Sequence, residues 1–189
     1  DIYEHVIFNN KKFTNILNVC PNLYDQTVVL NGVSKAYAMT GWRIGYAAGH
    51  IDIIGAMKKI QSQSTSCTCS IAQSAAEAAL TGGKKEISFM VNEYEIRSEF
   101  LHKELNKIEG ISYKKPEGSF YAFVNVDGVI NKISGINDDF ELAEYLLNKA
   151  GVAVVPGTAF GSPNHVRISF ATSLENLEKA VDRIKNLLS

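Results

Sequence analysis

The stretch Asn31–Gly49 constrains this chain more than any other: Asn-Gly-Val-Ser-Lys-Ala-Tyr-Ala-Met-Thr-Gly-Trp-Arg-Ile-Gly-Tyr-Ala-Ala-Gly. It follows the apolar run Val28-Val29-Leu30, which predicts a buried strand. Asn31-Gly32 signals a turn, and Ile44 to Ala48 predicts a second buried strand. Between them stand Ser34, Lys35 and, eight positions later, Arg43. Buried strand ends avoid cations, because stripping water from a charge is expensive. A lysine held there loses its proton readily and can act as an amine nucleophile. An arginine held there needs an anion, and its planar fork suits phosphate. The competing reading is a surface loop with a stray Lys and Arg.

The block Gly32-Val33-Ser34-Lys35-x-x-Ala38-Met39-x-Gly41-x-Arg43-Ile44-Gly45 resembles the lysine signature of class I pyridoxal-phosphate aminotransferases. The resemblance covers essentially the whole chain. It implies that Lys35 carries the pyridoxal 5'-phosphate and moves the substrate proton, and that Ser34 and Arg43 hold the phosphate. Tyr3 matches the family tyrosine whose phenol bonds the cofactor's ring hydroxyl; otherwise it is a half-buried aromatic. The family aspartate that keeps the pyridine ring protonated would fall just before residue 1. Asp1 is out of register and receives no role. His165-Val166-Arg167-Ile168-Ser169-Phe170-Ala171 is similar to the family segment whose arginine forks onto the substrate α-carboxylate. That role goes to Arg167, because two parallel charge-assisted bonds need a guanidinium. The alternative for Arg167 is an edge-strand residue paired with a surface acid. Pro116-Glu117-Gly118-Ser119-Phe120-Tyr121 resembles a family segment near the substrate mouth, or is an ordinary aromatic strand.

The implied activity is amino transfer between an amino acid and a 2-oxo acid, with L-aspartate and 2-oxoglutarate as the first pair. The wording around Lys35 resembles the bacterial aspartate branch. A prephenate or aromatic aminotransferase is the runner-up, and a non-catalytic dimer-packing or scaffold domain is the reading from another class. Some aspartate aminotransferases place a substrate arginine in the region where this chain has no Lys or Arg, between Lys59 and Lys84. Recognition of a second carboxylate would then fall to residues outside the chain. Family members are longer before the lysine, so the chain is expected to be a C-terminal portion. Residues 1–83 would end the large cofactor-binding domain. Residues 84–189 would supply the linking helix and the small domain. A homodimer is implied.

Composition narrows the partners. Apolar residues make up 46% of the chain, enough for a packed core, and a net charge of −1 argues against nucleic acid. No apolar run approaches membrane-spanning length, and Asp1-Ile2-Tyr3-Glu4-His5 is no signal peptide. Cys67-Thr68-Cys69 are too close for an ordinary disulfide or zinc pair, and Cys20 would be left over. Reduced thiols in a cytoplasmic protein, with no metal site, are expected.

The element pattern alternates strands and helices, which predicts an α/β class. By resemblance this is the aspartate aminotransferase-like fold: a mostly parallel large-domain sheet, antiparallel after the lysine turn, plus a small α/β domain. Ile2–Phe8 reads as a strand. Residues 9–27 read as a loop with a short helix near 14–19. Helices are predicted over 51–60, 70–80 (buried), 84–108, 138–150 and after a Thr172/Glu175 capping box. Strands are predicted over 111–114, 119–126, 152–157 and 165–171, with a loop over 127–137.

Overall fold

Two antiparallel strands frame the Lys35 stretch. β1 (Val29–Gly32) runs beside β2 (Gly45–Ala48), with Val29 opposite Ala48 and Gly32 opposite Gly45. The computed structural model describes residues 1–82 and 84–188. It separates into two compact units, Asp1–Val91 and Asn92–Ser189. The strand after the lysine turn is antiparallel, as the family pattern implies. The parallel remainder of a large-domain sheet has no ladder among the described residues. The ribbon is also not buried: Leu30 is 62% exposed. Two strands alone give no further layer to cover both faces.

The first unit packs Val33 and Ile44, at the two ends of the lysine loop, against Ala72 and Ala76, with Tyr37 and Met39 alongside. The alanines lie one turn apart on α3 (Ser70–Thr81) and let the loop approach closely. This helix buries only that stripe. Ile71 and Leu80, expected inside, are exposed. α2 (Ile51–Ser64) runs past its predicted end at Ile60, since Gln61–Ser64 hold no breaker. Lys58 and Lys59 therefore lie before its last turn. α1 (Ile16–Val19) is capped by Asn15 and followed by a 3-10 turn, Pro21–Gln26. Ile2–Phe8 is not a strand. Its amides close local turns instead, Glu4 N–H onto Asp1 O and Val6 N–H onto Tyr3 O, both at 2.8 Å. Turns satisfy backbone groups that lack a ladder.

α4 (Lys84–Leu105) runs through the division between the units. It ends short of the predicted Ile108, although Ile108 is still buried. The second unit is built on four antiparallel strands in the order β3 (Ser112–Tyr113), β4 (Tyr121–Asn125), β6 (His165–Ser169), β5 (Val155–Pro156). Period-two alternation buries Ala122, Val124 and Val166, and puts Tyr121, Phe123 and Arg167 on the other face. Tyr94 of α4 meets Phe120 and Phe170, ring centroids 5.3 and 6.2 Å away.

A short helix, α5 (Asp127–Ile130), stands where a loop was predicted, because Val129 and Ile130 are buried. α6 (Asp139–Tyr145) continues as a wider π turn over Leu146–Ala150 and stops at Gly151. Leu142, Ala143 and Leu146 face inward as expected. Phe140 and Leu147 do not: both are about half exposed, and Asp139 is buried. α7 (Leu174–Leu188) buries Leu177, Val181 and Ile184. Its cap is Ser173, whose Oγ accepts from Asn176 N–H at 3.2 Å. Glu175 pairs with Lys179 rather than closing a capping box on Thr172. Strands and helices alternate in an α/β chain. No helix among the described residues is long and apolar enough to cross a membrane.

Candidate active site

The β1–β2 ladder closes a loop, and that loop carries Ser34, Lys35 and Arg43. Lys35 and Ser34 are half-buried on a turn whose flanking residues, Val33 and Ala36, are buried. Tyr37 N–H donates to Val33 O and Ala38 N–H to Lys35 O, each at 3.3 Å. A Cβ on Gly32 would stand 2.8 Å from the Ile44 carbonyl oxygen, so only glycine allows this strand crossing. Ala38 and Arg43 take left-handed conformations, φ 53° and 56°. Non-glycine residues held there signal strain that surrounding structure maintains, often at functional sites.

Arg43 is exposed, contrary to the expectation of a buried cation. The exposed ribbon leaves it in water. Its Nη1 donates to Thr40 O at 3.0 Å, the one hydrogen bond its guanidinium makes among the described residues. The remaining donors suit an anion. A strained, exposed arginine with unused donors, on one loop with a hydroxyl and an amine, fits a phosphate-bearing aldehyde cofactor.

Tyr3 is half-buried, and its neighbour ties it to the lysine strand. Glu4 Oε1 accepts from Asn31 Nδ2 at 2.6 Å, and Asn31 Oδ1 accepts from Gly32 N–H at 2.8 Å. Sequence reasoning took Asn31 only as a turn signal and missed this link. Burial, then the Glu4 charge, pushes the Tyr37 and Tyr46 phenols up. His5 packs edge-on to Tyr37 at 6.0 Å, a structural contact.

Arg167 belongs to the second unit. It sits on β6, opposite Phe123 of β4 and Val155 of β5, so it is on an inner strand rather than an edge. Among the described residues it makes no ion pair. Its Cζ lies 4.3 Å from the Tyr121 ring centroid and 4.4 Å from that of Phe160. Phe160 was missed, since nothing in its spacing marks it. A separate cleft between β2, α2 and α3 is lined by Ile44, Cys67, Gln73 and Leu80, and includes none of the predicted site residues. The cysteines are free thiols.

The family profile "Aminotransferase class I and II" matches residues 1–184. An aspartate/prephenate aminotransferase of Nitrosomonas europaea is 52% identical over all of this chain and 49% of its own length. The aspartate aminotransferase of Bacillus subtilis is 45% identical over all of this chain and 48% of its own. Among solved structures, the aspartate aminotransferase of Rhizobium meliloti superposes with a TM-score of 0.94 at 42% identity. It covers 100% of this chain and 48% of that one. An aromatic aminotransferase of Pyrococcus horikoshii gives 0.90 at 36%, covering 99% and 49%. The chain thus spans about half the length of the curated relatives it matches.

Proposed function

This chain belongs to the class I and II aminotransferases, and we propose that it is part of an enzyme that moves an amino group between an amino acid and a 2-oxo acid. The family works with pyridoxal 5'-phosphate, which when bound supplies an electron sink that makes the substrate Cα–H acidic. In this reading Lys35 is the residue that binds the cofactor covalently. Its amine, once released, would take the proton from the substrate Cα and give it back at the cofactor carbon on the other side of the transferred nitrogen. Ser34 donates its hydroxyl to the phosphate. Arg43 meets the same group with its uncommitted N–H donors. Tyr3 donates its phenol to the ring oxygen. Arg167 orients the amino acid and the 2-oxo acid alike, because both present an α-carboxylate.

The loop closed by the Gly32–Gly45 ladder, with its amine, hydroxyl and guanidinium, carries this proposal. L-Aspartate with 2-oxoglutarate is the proposed pair, supported by relatives that bear the aspartate name. The second reading, prephenate or an aromatic acid, is favoured by the dual name of one relative and by the aromatic structural neighbour. A cytoplasmic homodimer belongs to the same proposal. So does the division of labour, residues 1–83 for the cofactor and 84–189 for the linking helix and small domain.

Borohydride reduction of the full-length holoprotein tests it. Peptide mapping is expected to find the cofactor on Lys35 alone. An adduct on another lysine overturns the assignment. Absence of any cofactor absorbance leaves the scaffold reading in its place.

A further inference from the structure

We infer that Tyr121 and Phe160 are positioning residues for the substrate carboxylate: their ring faces fix the plane of the Arg167 guanidinium. The inference rests on the aminotransferase reading and deepens it. Both centroids lie within 4.4 Å of the Arg167 Cζ. No hydrogen bond or ion pair to a described residue holds this guanidinium, so the rings are what restrain it. A long side chain left unrestrained loses rotamer freedom on binding. Ring faces attract the cation through their quadrupole. They use none of its N–H donors, which stay in the guanidinium plane for a planar carboxylate.

The two rings come from different elements. Tyr121 is on β4, two positions along from Phe123, the residue directly opposite Arg167. Phe160 ends the 3-10 turn Gly157–Phe160. That turn is itself fixed. The buried Asp139 carboxylate accepts from Thr158 N–H at 2.8 Å and from Thr158 Oγ1 at 2.7 Å. A Cβ on Gly157 would stand 2.4 Å from Ser162 O, so the turn closes on itself. Phe123 meets Phe160 edge-on at 6.3 Å and stacks on His165 at 5.0 Å. A buried carboxylate thus fixes the turn, the turn fixes the ring, and the ring fixes the arginine.

The test uses full-length holoenzyme. Tyr121→Leu and Phe160→Leu remove a ring, Tyr121→Phe and Phe160→Tyr keep one, and Arg167→Lys is the control. Each leucine variant is expected to raise KM for the amino acid and the 2-oxo acid together, by about fivefold to twentyfold. kcat should change by less than about threefold, with cofactor absorbance and Tm retained. The ring-keeping variants should rescue KM. A purely structural role would lower Tm and kcat together, without ring-specific rescue, and would overturn the inference. So would parent-like KM in the leucine variants while Arg167→Lys raises it, a result that spares the proposed function. If Arg167→Lys leaves both KM values unchanged, the carboxylate role of Arg167 fails and the inference fails with it. Phe160 is 48% exposed, so Phe160→Leu carries the test if Tyr121→Leu does not fold.

Discussion

The roles proposed for Arg43 and Arg167 are separable by a change to lysine. Lysine keeps the charge and loses the fork. Arg167→Lys is expected to weaken the grip on both substrates and leave cofactor absorbance normal. Losing a charge-assisted hydrogen bond costs about 1.5–3 kcal/mol, so kcat/KM should fall roughly tenfold to a hundredfold. Arg43→Lys should release cofactor first, seen as lost absorbance on dialysis. If the two phenotypes appear the other way round, the roles are exchanged. What the sequence pattern carries at this scale is the candidate set itself: a lysine, a serine and an arginine at fixed spacing, which the structure puts on one loop, and an arginine breaking an apolar strand. What holds Arg167 was not legible. Phe160 lies in a loop whose path depends on Asp139, and an acid at a helix start reads as a solvated first-turn residue. Its burial follows from tertiary packing that no local pattern carries.

At the level of elements, the lysine loop depends on one close backbone pass. Gly32→Ala puts a methyl against the Ile44 carbonyl. Overpacking of this kind costs about 1–3 kcal/mol. Reduced cofactor retention and a lower Tm are expected together, and unchanged retention would show that the pass is slack. The Asp139–Thr158 clamp gives a pH signature. Burial raises the Asp139 carboxyl, but the two Thr158 bonds, together with the backbone N–H groups of Asp139 and Asn164, outweigh it and hold the group below its ordinary range. A lowered folded value means the stabilisation is present above the unfolded carboxylate range and lost as pH falls through the folded value. Asp139→Asn should therefore cost about 2 kcal/mol near neutrality and flatten the acid limb of a urea-midpoint profile. An acid limb as steep as the parent's would remove Asp139 from the account. Long amphipathic elements such as α4 and α7 were readable, because burial of one stripe fixes them. Ile2–Phe8 and the ribbon's exposure were not. Strand identity and strand burial depend on which neighbours pair and cover, and those are not encoded in the run itself.

At the scale of the whole molecule, the 189 residues fold as two compact units. The chain spans about half the length of the relatives it matches, and the proposed site assigns no residue of it to protonate the cofactor ring. Residues 1–189 expressed alone should show no measurable transamination, whereas the full-length protein should turn over. Robust turnover by the shorter chain would refute this. The strand that bears Arg167 also has a dynamic consequence. It is paired on both sides, with Phe123 and Val155 across from the arginine, whereas Lys35 hangs from a turn closed by long 3.3 Å bonds. Deuterium should therefore enter the amides of 34–38 well before those of 166–168. In the proposed roles, the grip on substrate then falls to stiff backbone and the amine to softer backbone. On warming, turnover should falter while affinity for the carboxylate still holds.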